Sequence, residues 1–123
     1  MANELTLSGL TIAFTKSGSP SVSLSPASVS ITVSGSEIMD NVQSVGTTEE
    51  ALLLGDVAAG GICFVQNLDS ANFASIRSGT AATNLIRVNA GEWALFRMSG
   101  DATAPFAIAD TAAVRLRLLR LDA

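Results

Sequence analysis

The chain has 123 residues, of which 48% are hydrophobic and 15% are charged, and its formal net charge is −4. A chain of this length holds one domain and buries roughly two-thirds of its unfolded surface without needing metals or disulfides. The negative charge disfavours partners bound through their phosphates, so no nucleic-acid partner is expected. Histidine and tyrosine are absent, which removes Ser-His and Cys-His nucleophiles and imidazole metal sites. We therefore expect no enzyme: no catalytic, cofactor-binding or metal site, and no small-molecule substrate.

The N-terminal part alternates apolar and polar residues in short runs separated by turn residues. The apolar positions of the first run change phase at Ser8-Gly9, from Leu5 and Leu7 to the even positions 10, 12 and 14. A bulge or bend there would turn the side chains over. A turn is expected at Ser17–Pro20, followed by strands over Val22–Ser25 and Ser28–Ser34. In the second of these strands Val29, Ile31 and Val33 are expected to face inward. We expect residues 1–36 to form an extended N-terminal arm or edge strands of a single β-sandwich domain spanning residues 1–123.

The middle of the chain contains one ambiguous segment. A weaker strand is expected over Glu37–Val45, and Thr47–Leu54 follows it. The run Thr47-Thr48-Glu49-Glu50 resembles a capping box, which allows one helical turn. Gly46 and Gly55 bound the segment too closely for a typical helix of about 11 residues, so a strand is favoured.

The remaining apolar runs predict strands with turn signals between them. Ile62–Asn67 is the most apolar and is expected to be central in its sheet. The others are Phe73–Arg77, Leu85–Val88, Glu92–Met98, Phe106–Ala109 and Val114–Leu121. Strands arriving every 8–12 residues are typical of sandwiches. The sequence thus predicts an all-β, single-domain antiparallel β-sandwich of jelly-roll type.

The turn after Asn67 is rich in oxygen-bearing side chains. Asn67, Asp69 and Asn72 resemble the spaced ligands of a calcium loop. A single carboxylate supplies too little charge for tight binding, so an Asx-type turn that satisfies backbone N–H groups is favoured. Cys63 lies in an apolar run and is expected to be a small buried hydrophobe.

The ends and the charges of the chain indicate where it acts. The N-terminus lacks the regions of a secretory signal, and no apolar run approaches the ~20 residues of a membrane span, so no membrane partner is expected. Acids dominate up to residue 61, and arginines balance acids afterwards. Attraction between identical subunits and pairing within one chain both fit this asymmetry, and pairing within the chain is favoured. The low overall charge indicates a surface partly covered by protein, so we expect a homo-oligomer.

One pattern in the C-terminal two-thirds of the chain resembles the small virion proteins of tailed bacteriophages. It consists of Gly55-Asp56-Val57, Val65-x-Asn67-Leu68-Asp69-x-x-Asn72-Phe73-x-x-Ile76, Ile86-x-Val88-x-Ala90-Gly91-Glu92-x-Ala94-Leu95-Phe96-Arg97 and Ala109-x-x-Ala112-x-Val114-x-Leu116. The resemblance implies a β-sandwich or jelly-roll protein of the particle, in a capsid decoration, neck or tail position. Its motifs are structural: Asn67, Asp69 and Asn72 would set one turn, and Gly91 and Glu92 the next. Glu92 would meet an arginine such as Arg87 or Arg97.

Among virion roles, the chemistry favours a capsid decoration (cement) protein assembled in the bacterial host cytoplasm. Acidity argues against lining the capsid interior beside DNA, and a tail fibre would need repeats that are absent. The expected partners are the major capsid protein and further copies of the chain, with a trimer favoured. Arg115, Arg117, Leu5 and Leu7 are the candidate subunit or capsid contacts. A neck or tail component is the first alternative, and a lectin-like cell-surface-binding module, with Trp93 as its tryptophan, is the alternative from another class.

Overall fold

The computed structural model describes residues 5–33, 37–53, 55, 57, 61–99 and 105–121. Within these residues all regular structure is β-strand, all pairing is antiparallel, and no helix occurs. The chain divides into two compact units, residues 1–33 and residues 34–123. The prediction of an all-β antiparallel sandwich is confirmed. The jelly-roll connectivity and the arm-like role of residues 1–36 stay predictions, and residues 1–4 and 34–36 of that segment lie outside the described residues.

The first unit is a two-stranded antiparallel arrangement, which we call the ribbon. Its strands are β1 (Leu5–Leu7), β2 (Ile12–Phe14), β3 (Val22–Leu24) and β4 (Val29–Ile31). β1 pairs with β4, and β2 pairs with β3. The interruptions 8–11 and 25–28 have equal length, so the two ladders follow one continuous register. The outermost pair is Leu5 with Ile31, and the innermost is Phe14 with Val22.

The ribbon reverses direction at the predicted turn. The N–H of Ser19 donates to the carbonyl of Lys16 over 3.1 Å. Gly18, at the third position of this turn, has φ of 80°. A positive φ at that position is the requirement of a type II turn, which glycine meets at no steric cost.

Both strands of the ribbon change their apolar face in the same interval. The apolar residues are odd-numbered in β1 and β4 and even-numbered in β2 and β3. Gly9, in the first interruption, has φ of 73°, a conformation that other residues rarely adopt. Pro26 lies in the opposite interruption, where its missing N–H cannot weaken a ladder. The predicted change of phase at Gly9 is therefore matched by the partner strand.

The second unit contains the remaining strands. They are β5 (Ile38–Val45), β6 (Glu50–Ala51), β7 (Gly61–Asn67), β8 (Ala74–Arg77), β9 (Asn84–Val88), β10 (Trp93–Met98), β11 (Phe106–Ala109) and β12 (Val114–Leu121). They form two sheets: a front sheet in the order β10-β7-β12-β5 and a back sheet in the order β6-β11-β8-β9. β7 lies inside the front sheet, as its apolar sequence predicts. Within Thr47–Leu54 the strand interpretation is confirmed only for the short β6, and Leu54 lies outside the described residues.

The core lies between the two sheets and consists mainly of small and branched aliphatic side chains. The front sheet contributes alternate residues of β7 and β12, such as Val65, Leu116 and Leu118. The back sheet contributes Ile76 and Val88, together with alanines of β8 and β11. Alternate positions on a strand point to opposite faces, so the other residues of these strands form outer faces. Burying both inner faces against each other stabilises the sandwich in the absence of disulfides.

Two local predictions need correction. Val29 was expected to face inward with Ile31 but is 48% exposed, because the ribbon has no second layer within the described residues of its unit. The strand expected to start at Leu85 begins at Asn84, and the pairing with β8 is irregular between Ile76 and Arg77. Leu85 is the residue without a register partner in this irregularity, and it is 76% exposed.

Candidate functional site

The predicted turn residues meet around the buried side chain of Asn67, at the end of β7. Its Nδ2 group donates to the carbonyls of Asn72 (2.9 Å) and Val88 (3.0 Å). Its Oδ1 accepts the N–H of Asp69 over 2.8 Å. Since Asn67 is 1% exposed, these bonds replace water for polar atoms that would otherwise be buried without partners. The side chain joins the turn 67–72 to the end of β9.

Asp69 closes the same turn from within. Its Oδ2 accepts the N–H of Asn72 (2.6 Å) and the N–H of Ala71 (2.9 Å). These N–H groups, that of Asn72 first, hold the pKa of the Asp69 carboxyl below its ordinary value. The Oδ1 of Asn72 in turn accepts the hydroxyl of Thr111 over 2.9 Å. The Oδ2 atom of Asp69, which would have to bind a cation, therefore accepts backbone N–H groups. This arrangement is that of an Asx-type turn.

Gly91 and Glu92 lie on the other side of Asn67. The N–H of Gly91 donates to the backbone carbonyl of Asn67 (3.1 Å), and the N–H of Asn67 donates to the carbonyl of Glu92 (2.9 Å). Gly91 has φ of 80°. The Glu92 carboxylate accepts the N–H of Asn89 over 3.0 Å. All five predicted turn residues are thus brought together at one end of the sandwich.

An arginine of the expected motif finds an aromatic partner. The guanidinium carbon of Arg87 lies 3.6 Å from the centroid of the Phe73 ring, a cation–π contact. Its Nε also donates to the side chain of Asn89 over 2.9 Å. Arg87 therefore ties β9 to the turn between β7 and β8, through Phe73, and to the turn that follows β9, through Asn89. The carboxylate of Glu92 accepts the backbone N–H of Asn89, and its meeting with Arg87 or Arg97 stays a prediction.

The outer face of the front sheet is the candidate binding surface of the sandwich. Register places its side chains in two rows across the sheet, which are Trp93, Gln66, Arg117 and Val42, and next to them Leu95, Phe64, Leu119 and Asp40. We call these two rows the Trp93 face. Trp93 is 51% exposed, and Leu95 and Val42 are also exposed. A third row continues the face with Arg97, Ile62, Leu121 and Ile38. Its central residues Ile62 and Leu121 are buried, whereas Arg97 and Ile38 at its two ends are exposed.

Aromatic and charged groups order the Trp93 face. The rings of Trp93 and Phe64 lie 5.8 Å apart between centroids and are tilted by 36°, within the range of favourable aromatic pairs. Arg117 makes a two-point contact with Asp40, from Nη2 to Oδ2 (3.0 Å) and from Nε to Oδ1 (3.3 Å). This contact raises the pKa of Arg117 above its ordinary value. These two bonds hold the Arg117 guanidinium beside the Asp40 carboxylate.

The predicted contact residues fall in different units. Arg115 and Arg117 are exposed on the outer face of β12, as the alternation predicts. Leu5 and Leu7 lie in β1 of the ribbon, half-buried and opposite Ile31 and Val29. The structure places Arg117 in the Trp93 face, Arg115 two residues before it on the same side of β12, and the two leucines in a separate unit.

Two groups of polar contacts in the sandwich, around Gln43 and Glu49, were not predicted from the sequence. Gln43 is buried in β5; its Nε2 donates to the Glu50 carboxylate and the Ala51 carbonyl (both 3.0 Å), and its Oε1 accepts the N–H of Leu53 (2.9 Å). Gln43 thereby attaches β6 to the front sheet. Strand alternation could have revealed the buried position of Gln43, because position 43 lies on the same face of β5 as the buried Val45.

The second contact is a clamp on the loop between β8 and β9. Glu49 accepts the N–H of Ala81 (2.9 Å) and forms an ion pair with Arg77 (2.7 Å). Arg77 also donates to Asn84 over 2.6 Å. The Ala81 N–H first, and Arg77 second, hold the pKa of Glu49 below its ordinary value. Ala81 itself has φ of 54°, so the clamp holds a residue in a conformation that alanine disfavours.

Cys63 is fully buried, and burial raises the pKa of its thiol to about 11, although the nearby Arg120 lowers it somewhat. A thiol with that pKa is a poor nucleophile at neutral pH.

A cleft of about 290 Å³ opens between β8, β9 and β10. Its lining is largely apolar, from Ile76, Ile86, Phe96 and Met98, with Arg77 and Arg97 also contributing.

Within the part of the chain that the structure describes, no helix has the length and apolar character needed to cross a membrane. Over the same residues, no three side chains of the His, Cys, Asp or Glu type are grouped so as to hold a metal ion. Comparisons with protein-family models, with curated proteins and with solved structures found no match for this chain.

Proposed function

We propose that this protein is a structural component of a phage particle, a capsid decoration (cement) protein whose Trp93 face binds the outer surface of the shell. The observation that carries the proposal is the Trp93 face itself. It combines an exposed tryptophan, exposed Leu95 and Val42, and an arginine held in place by Asp40. Exposed tryptophan and arginine beside apolar residues are the composition of binding hot spots between proteins.

The geometry suits adhesion to a broad surface. A sheet whose other side is packed into a core keeps the Trp93 face in place, so binding orders few side chains and costs little conformational entropy. Trp93 and Phe64 support each other through their ring contact. The segments around Asn67 and Gly91 resemble those of small virion proteins, and on this basis we infer that the partner is the major capsid protein.

The position in the particle follows from copy number. Quantitative mass spectrometry of purified particles should find hundreds of copies if the protein covers the shell. A dozen copies or fewer would indicate the neck or tail and would overturn the decoration role. No copies in the particle, with saturable binding on a glycan array, would favour the lectin-like alternative, in which Trp93 stacks on a sugar.

The Trp93 face can be tested directly by re-addition of purified protein to particles that lack it. Trp93→Ala should reduce the affinity at least about tenfold, as expected for a hot-spot tryptophan. Leu85→Ser is the matched control, because Leu85 is a more exposed apolar residue on the back sheet. Equal binding of wild type and Trp93→Ala would show that another surface makes the contact.

A further inference from the structure

The ribbon carries an apolar face that its own unit leaves open. Ile12 lies opposite Leu24, and Phe14 lies opposite Val22, so the four side chains share one side of the β2–β3 pair. We call this the distal face. Its side chains are between 45% and 53% exposed. A two-stranded hairpin is at best marginally stable by itself in water, so this face needs a covering layer.

We propose that the distal face binds the distal face of a second copy of this chain, so that ribbons of neighbouring molecules pack against each other. This surface and this partner are distinct from the Trp93 face and its shell partner. The inference therefore stands or falls separately from the proposed function.

Charge favours a second copy over a different protein. Residues 5–33 contain a single charged side chain, Lys16, which lies in the turn at the tip of the ribbon. The distal face itself is uncharged. A partner selected by complementary charge would find nothing to recognise there. Two identical ribbons can approach without like-charge repulsion, and an antiparallel packing about a two-fold axis places their Lys16 side chains far apart.

Shape points the same way. Each cross-strand row on the distal face contains two large apolar side chains, Ile12 with Leu24 and Phe14 with Val22. In an isologous contact both molecules use the same pair of rows, as two-fold symmetry requires. Two such faces packed about 10 Å apart form the two-layer structure that the ribbon lacks by itself.

Area sets the strength of the contact. Four side chains that are each about half exposed leave on the order of 400 Å² of apolar surface, so a pair of ribbons buries on the order of 800 Å². Stable interfaces bury about 1,200 Å² or more in total. The association is therefore expected to be reversible and to depend on concentration, with assembly favoured where many copies are held close together.

The first test is the molecular mass of the full-length protein in sedimentation velocity, from micromolar to near-millimolar concentration and without particles. The wild type should shift from monomer to a larger species as concentration rises. Phe14→Ser combined with Leu24→Ser should remain monomeric over the whole range. The control Leu85→Ser, an exposed apolar residue of the sandwich, should associate as the wild type does.

The second test is cross-linking of full-length single-cysteine additions with a bismaleimide whose spacer spans about 10 Å, the separation of packed sheets, because a direct disulfide is too short for that distance. Cys63 is buried with a raised pKa, so it does not compete for the reagent. Ile12→Cys should form cross-linked dimers. Ala13→Cys, its neighbour on the opposite side of β2, should not. This pair keeps the test informative if the double serine variant fails to fold.

Each other outcome overturns the inference. A wild type that is monomeric at every concentration, with no cross-link at position 12, would mean that the distal face is covered by its own chain or by a different protein. Association that survives in the double variant, or equal cross-linking at positions 12 and 13, would place the contact elsewhere. Particle binding is a separate measurement. A wild type that stays monomeric but binds particles would refute only the ribbon contact, whereas a wild type that self-associates through the distal face but does not bind particles would refute only the proposed function.

Discussion

Leu118 in the sandwich and Leu24 in the ribbon both come from alternating apolar strands, yet Leu118 is fully buried and Leu24 is 53% exposed. The strand pattern is the same in both regions. The difference is the second layer: β12 faces the strands of the back sheet across a shared core, whereas β3, within the described part of the chain, pairs only with β2. Alternation therefore specifies which side chains share a face, and the covering layer decides whether that face becomes core or binding surface.

The two regions also differ in how their reversals are held. The sandwich fixes its turns with side chains such as Asn67, Asp69 and Glu49, each of which accepts backbone N–H groups. In the ribbon, the turn closes through one backbone bond between Ser19 and Lys16. The buried bond from Asn67 to the carbonyl of Val88 specifies one arrangement, because alternatives would leave polar atoms without partners. The reversals of the sandwich are thus specified by side-chain bonds in addition to backbone bonds.

The largest difference between sandwich and ribbon is expected when a leucine is shortened to alanine in each of them. Leu118→Ala should lower the free energy of unfolding by about 3–4 kcal/mol, because it leaves a cavity in a closed core. Leu24→Ala should lower it by less than about 0.5 kcal/mol at low micromolar concentration, as expected for an exposed side chain. Urea unfolding followed by the fluorescence of Trp93 and by circular dichroism measures both. A loss of similar size in Leu24→Ala would show that the ribbon is packed in the monomer.

Asn67→Ala should have the next largest effect, a loss of about 2–3 kcal/mol. It removes bonds to the carbonyls of Asn72 and Val88 and leaves these groups without that donor in a buried place. Asn41→Ala is the control, since Asn41 is exposed in β5 and accepts the N–H of its neighbour Val42. The same urea titration compares them. Equal, small losses in the two variants would mean that water readily replaces the Asn67 side chain.

Sequence patterns were sufficient where local chemistry decides the structure. Each of the strands β7 to β12 lies within two residues of its predicted limits, because glycine, proline and Asx residues mark their ends. The Asn67 turn was predictable for the same reason, since Asn and Asp side chains bond nearby N–H groups.

Contacts between distant segments were not predictable from these patterns. Glu49 and Arg77 are far apart in the sequence, and their pairing depends on how β6 and β8 share β11 as a neighbour. Arg120 is fully buried although arginine usually stays exposed. Strand alternation places position 120 on the same inward face as Leu116 and Leu118, whereas the charge of an arginine side chain predicts an exposed position. The Trp93 face was missed because its rows come from strands whose order in the sheet differs from the chain order.

A smaller effect is expected from exchanging residues at positive φ within the sandwich. Ala81→Gly should stabilise the protein by about 0.5–1 kcal/mol, because glycine adopts this conformation without the strain that alanine carries. Gly91→Ala is the opposite change and should destabilise it by about 1 kcal/mol. Open space surrounds the position of the added methyl group, so the cost is conformational. Thermal unfolding at one protein concentration measures both, and shifts of the same sign would contradict the assignment.

The smallest predicted effect concerns acid. The folded pKa of Glu49 lies below its ordinary value of 4.5, so its contribution to stability is present above that pH and is lost as the pH falls through the folded pKa. Urea midpoints from about pH 6 to about pH 3 should therefore fall less in Glu49→Gln than in the wild type. Asp69 titrates in both proteins and cancels in the comparison.

The order of causes can be tested in the same titration with Arg77→Gln. The N–H of Ala81 is the larger cause of the lowered pKa of Glu49, and Arg77 is the smaller. Arg77→Gln should consequently keep most of the acid-dependent loss that the wild type shows, whereas Glu49→Gln should abolish the part due to this carboxylate. If Arg77→Gln instead matches Glu49→Gln, the ion pair holds the loop and the backbone bond contributes little. The clamp would then be sensitive to salt, since ion pairs near the surface are screened and a carboxylate that accepts a backbone N–H is affected less.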